Sequence, residues 1–191
     1  MRSDNHQGTR DRANPGAEID VKDIVLGLHW DPPQEGVSAV PDDLDALCVL
    51  FDERRCVLEV IHPGHPRNAN GSVIHTGDSQ TGAGEWDDER IFVFLEALPQ
   101  AVSALAFVVA SITGRAFSEV RGASCHVSDH VTERELVRLE LSALEGQTAR
   151  CVADLHRGPA GWQISTDAQT VHGELMAELL PLIGSSKSRA R

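Results

Sequence analysis

An all-β fold is predicted: two antiparallel sheets packed as a β-sandwich, with a short C-terminal helix. Three observations carry the prediction. Short β-like runs recur at near-regular spacing, Gly, Pro and Asp turn signals separate them, and one segment alone has a clear helical period. Hydrophobic residues make up 41% of the 191, enough for a packed core, and the length suits a single domain.

Residues 1–19 are polar and pass through Pro15-Gly16, so they read as a flexible N-terminal tail ahead of a domain over 20–183. The first strand is VKDIVLGL, Val21 to Leu28. ALCVLF (Ala46 to Phe51) and RCVLEVI (Arg55 to Ile61) flank Asp52-Glu53 and read as a hairpin. IFVFL (Ile91 to Leu95) and LAFVVASI (Leu105 to Ile112) follow. The segment SCHVSDH reads as strand and turn, so the four-residue spacing of His126 and His130 does not put them on one helical face. From Glu135 to Leu141 the alternation is clean: Val137, Leu139 and Leu141 point one way, Arg138 and Glu140 the other. Arg150 to His156 and Trp162 to Ser165 close the set, joined by the turn Gly158-Pro159-Ala160-Gly161. The helix is Val171 to Leu180, where Leu175/Leu179 and Met176/Leu180 recur at four and Pro181 stops the run. Residues 184–191 form a basic tail, which reads as a solvated terminus.

Seventeen Lys and Arg against 29 Asp and Glu leave a net charge of −12. Such a chain repels phosphate backbones and anionic membrane surfaces, which speaks against nucleic-acid binding and favours cationic partners. No apolar run reaches the roughly 20 residues of a membrane span, and the N-terminus lacks a secretory leader's apolar stretch, so a soluble, cytoplasmic protein is expected. The four cysteines, Cys48, Cys56, Cys125 and Cys151, have no zinc-site spacing and read as reduced thiols in or near the core.

The stretch from His62 to Arg90 is the least regular. Within it, Gly77 to Glu89 alternates glycines with oxygen donors, a composition that lets a loop curl and turn hard oxygens toward a cation. Asp43 and Asp45 precede the strand ALCVLF and, two apart, project to one side of an extended segment. Were the sheets to bring the two segments together, their oxygens could converge on calcium; the alternative is a solvated acidic loop. An EF-hand is excluded, since counting from Asp78 puts Ala83 where the sharp turn needs Gly. There is no P-loop, no dinucleotide fingerprint and no nucleophile elbow, and no nucleophile–base pair is visible for a metal-dependent hydrolase.

In order along the chain, several motifs resemble those of the TerD-type tellurium-resistance and general stress proteins. They are Gly27-Leu28-His29-Trp30-Asp31, Asp43-Leu44-Asp45-Ala46, Gly71-Ser72-Val73-Ile74-His75-Thr76-Gly77-Asp78, Thr81-Gly82, Asp87-Asp88-Glu89 and Gly161-Trp162. The resemblance runs from about Ile24 to Leu182 and implies a β-sandwich that binds Ca2+ and has no established enzymatic activity. It also implies a role in tolerance to tellurite or other stress, with partners among other Ter-type stress proteins, membrane-associated ones included. By position it carries the cation role to Asp43, Asp45, Asp78, Asp87 and Asp88, with Glu85 and Glu89 as contributors and main-chain oxygens of Thr81 and Gly82. The chain departs from the family pattern at Pro41, Ser79, Ala83, Glu85 and Trp86. Those departures imply fewer ligands, and hence a second reading, a TerD-like interaction module with a degenerate metal site.

Overall fold

The computed structural model describes residues 17–32, 41–84, 86–166 and 179. The strands are β1 (Ala17–Ile19), β2 (Asp23–His29), β3 (Leu44–Phe51), β4 (Val57–Ile61), β5 (Val73–His75), β6 (Glu89–Phe94), β7 (Ala104–Ser111), β8 (Ser124–Asp129), β9 (Glu135–Glu140), β10 (Ala149–Arg157) and β11 (Trp162–Ser165). They form a six-stranded sheet, β1-β11-β10-β7-β3-β4, and a five-stranded sheet, β5-β6-β2-β8-β9, antiparallel throughout. The expected sandwich is therefore observed.

Alternation along the strands fills the space between the sheets. Ile24, Leu26 and Leu28 of β2 meet Leu44, Ala46, Cys48 and Leu50 of β3, with Ile91 and Val93 of β6 and Leu105, Phe107 and Val109 of β7. A second apolar cluster covers the other face of the six-stranded sheet, from Leu47, Val49, Phe51, Ala106, Val108 and Leu179. Both faces of β3 and β7 are thus covered, which is why all eight residues of each strand are buried and why both read as near-continuous apolar runs.

Two strands were not expected. Ala17–Ile19 lies in the stretch read as tail, but pairs with β11. Val73–His75 lies inside the stretch read as irregular, and pairs with β6. That stretch is further ordered by bridges between His62 and His65 and between Arg67 and Ile74. The segment holding His126 is strand, as read, and the hairpins at Asp52 and at Gly158 to Gly161 form as expected. The C-terminal helix expected over Val171 to Leu180 lies outside the described residues, Leu179 excepted. All four cysteines are free thiols, buried apart from the exposed Cys56.

Candidate metal centre

Leu44 opens β3 with its side chain in the core between the sheets. Its neighbours Asp43 and Asp45 therefore point the other way, as the two-residue period of a strand requires. Asp78 arrives from the loop after β5. The three residues offer carboxylate oxygens that all lie within 4.8 Å of one another. Calcium holds oxygens at 2.3–2.6 Å, so two ligands on opposite sides of one ion are about 5 Å apart. The spread of the trio fits one coordination sphere, and three hard anionic oxygens are the donors such an ion takes.

Glu89 ties the neighbourhood together. It is fully buried at the start of β6, and its Oε2 accepts the Ala46 N–H of β3 at 2.8 Å. Its Oε1 accepts the Ser79 N–H at 3.3 Å, next to Asp78, and the His75 Nε2 of β5 lies 3.3 Å from Oε2. One carboxylate thus joins the strand bearing Asp45 to the loop bearing Asp78. Burial pushes the Glu89 carboxyl above its ordinary value, while His75 and the two N–H donors pull it back in part.

Asp88 has a different task. Its Oδ2 accepts the Trp30 N–H at 3.0 Å and lies 3.0 Å from His29 Nδ1, and its Oδ1 accepts the Gly84 N–H at 2.9 Å. Asp87 pairs with Arg90 Nε at 2.9 Å and with His126 Nε2 at 3.1 Å. Burial works to raise the Asp87 carboxyl, but His126 and then Arg90 outweigh it and hold it below the ordinary value. Asp42, beside the trio, is spent on Arg115, and its carbonyl accepts the Trp30 indole N–H at 3.2 Å.

Of the residues singled out in the sequence, the structure gathers Asp43, Asp45 and Asp78, and sets Glu89 beside them as a brace. Asp87 and Asp88 pin the loop to the five-stranded sheet. Gly82 is pressed against Trp30: it holds φ +60°, and a Cβ there would lie 2.5 Å from Trp30 Cδ1 and 2.7 Å from the Trp30 carbonyl oxygen. Only glycine meets both demands. Thr81 is exposed, and Glu85 lies outside the described residues. Trp86, one of the departures from the family pattern, is 77% exposed. The bracing by Glu89 and His75 escaped sequence reasoning; a lone Glu and His fourteen residues apart carry no local signal.

A family model described as the TerD domain matches residues 14–180. The chain is 34% identical over 166 residues to the tellurium resistance protein TerZ of Serratia marcescens, covering 83% of this chain and 86% of that protein. It is 31% identical over 172 residues to general stress protein 16U of Bacillus subtilis, covering 86% of each. A solved structure of a homologue of telluride resistance protein (TerD) from Streptomyces coelicolor superposes with a TM-score of 0.69 at 22% identity, over 82% of this chain and 95% of that one. That last likeness concerns the fold.

Proposed function

The chain belongs to the TerD domain family, and from that premise we propose that it is a calcium-binding protein of the tellurium-resistance and stress-response type, its ion held by Asp43, Asp45 and Asp78. The convergence of three carboxylates from two segments distant in sequence carries the reading. Like charges this close repel, and a divalent cation relieves that repulsion. The ion's role in this proposal is structural: it fastens the loop after β5 to the start of β3. Partners are proposed among other Ter-type stress proteins, and the location proposed is the cytoplasm. Among the described residues no helix is long and apolar enough to cross a membrane.

Native mass spectrometry with and without a chelator tests the proposal. The wild-type chain is expected to carry a calcium adduct that the chelator strips, and Asp45→Asn to carry none. A wild-type chain that stays free of calcium at millimolar concentration would return the protein to the reading of an interaction module with a degenerate site.

A further inference from the structure

The outer face of the five-stranded sheet holds a groove of about 560 Å³, lined in part by Arg90, His126, Ser128, Arg138 and Phe92. Register sets its floor. Gly27 of β2 faces Arg90 on β6 and His126 on β8, and His126 in turn faces Arg138 on β9. The absent side chain at Gly27 lets a carboxylate lie across the strand. A Cβ there would sit 2.3 Å from His126 Nε2 and 2.6 Å from the Asp87 carboxyl carbon. Into that space Asp87 projects, with Oδ1 3.1 Å from His126 Nε2, while His126 Nδ1 lies 2.8 Å from Ser128 Oγ. Ser128 and His126 are two apart on one strand and so share a face.

From this geometry we propose that Asp87, His126 and Ser128 form a nucleophilic serine site for carboxylic esters, separate from the acidic trio. A carboxylate only accepts, so the neutral imidazole keeps its proton on Nε2, facing Asp87. Nδ1 then carries the lone pair, and the hydroxyl of Ser128 must donate to it. That is the order acid–imidazole–hydroxyl in which a serine is activated, recognised by geometry and not by chain order. Ser128 Oγ attacks the ester carbonyl carbon as its proton passes to His126 Nδ1. The carbon–oxygen bond to the alcohol then breaks, and the leaving alkoxide takes that proton. Water repeats the sequence on the acyl-serine, releasing the carboxylic acid and restoring the hydroxyl. Arg138, held by Glu135 through Nε and Nη2, stands beside His126 and lines the same groove, a cation within the site for a developing oxyanion. The β-sheet supplies a rigid base, and Phe92 and Val25, in the row of Ser128, supply apolar contact for an acyl chain.

An alkyl fluorophosphonate tests the site without knowledge of the natural ester. Ser128 Oγ displaces fluoride at phosphorus, again passing its proton to His126. The 191-residue chain is expected to gain one adduct, mapped to Ser128 by peptide mass spectrometry and absent in Ser128→Ala. A positioned general base is worth about 100-fold or more, so His126→Gln should slow labelling by at least that factor. Asp87→Asn, which keeps the side-chain shape, should slow it at least ~10-fold and serves if the histidine variant fails to fold. A network that merely staples the loop would move melting temperatures and leave Ser128 unlabelled. Absence of an adduct, an adduct on another residue, or a rate indifferent to His126 and Asp87 overturns the proposal.

Discussion

Glu89→Ala is expected to lower stability by about 3 kcal/mol, read from urea unfolding at neutral pH. The truncation removes the acceptor of two backbone N–H groups, that of Ala46 at 2.8 Å and that of Ser79 at 3.3 Å. It also strips His75 Nε2 of its neighbour at 3.3 Å, among side chains with no access to water. A buried donor left unsatisfied costs about 1–3 kcal/mol, and the vacated volume adds to it. Glu89→Gln separates shape from chemistry, since its amide turns a donor toward one of the N–H groups that the carboxylate accepts. The pH dependence has a definite sign. Because burial raises the Glu89 carboxyl above 4.5, the native state holds its proton longer than the unfolded chain does. The stability this group contributes is complete below that value and falls as pH rises through the folded pKa, a fall that Glu89→Gln should lack. An alanine variant within about 0.5 kcal/mol of wild type would contradict the bracing role.

The second large effect is the response to calcium. A ligand that binds the native state alone stabilises it by about 2.7 kcal/mol at a hundred times its dissociation constant. For a domain of this size that raises the melting temperature by about 5–10 °C. Asp45 has no exposed surface and supplies one of the three carboxylates, so Asp45→Asn keeps the volume and removes a charged ligand. Its melting temperature should be unmoved by calcium. Differential scanning calorimetry on both chains decides the matter: equal shifts in the two would place the ion elsewhere.

How much of this was legible in the sequence depends on the range of the interactions involved. The strands that alternate over six or more residues, such as Glu135 to Glu140, could be read because one face is apolar and the other polar. Ala17–Ile19 and Val73–His75 could not, because three residues show no period, and each is strand only through its distant partner, β11 or β6. The same limit governs the site. Asp43 and Asp45 were readable as a pair on one side of a strand. Composition could not tell that Asp78 would join them while Asp87 and Asp88, nine and ten residues on, would turn away to His126, Arg90 and Trp30. Identical carboxylates are sorted by partners that the fold delivers from elsewhere. The hydroxyl–imidazole pair of Ser128 and His126 went unread although strand spacing puts the two on one face, and its carboxylate, thirty-nine residues away, leaves no local signal at all.

Calcium's own anomalous scattering, measured on crystals grown with the ion, tests the central claim most directly. One peak is expected about 2.3–2.6 Å from oxygens of Asp43, Asp45 and Asp78. A peak bound by Asp87 and Asp88 instead, or none near the trio in crystals soaked to saturation, would contradict it.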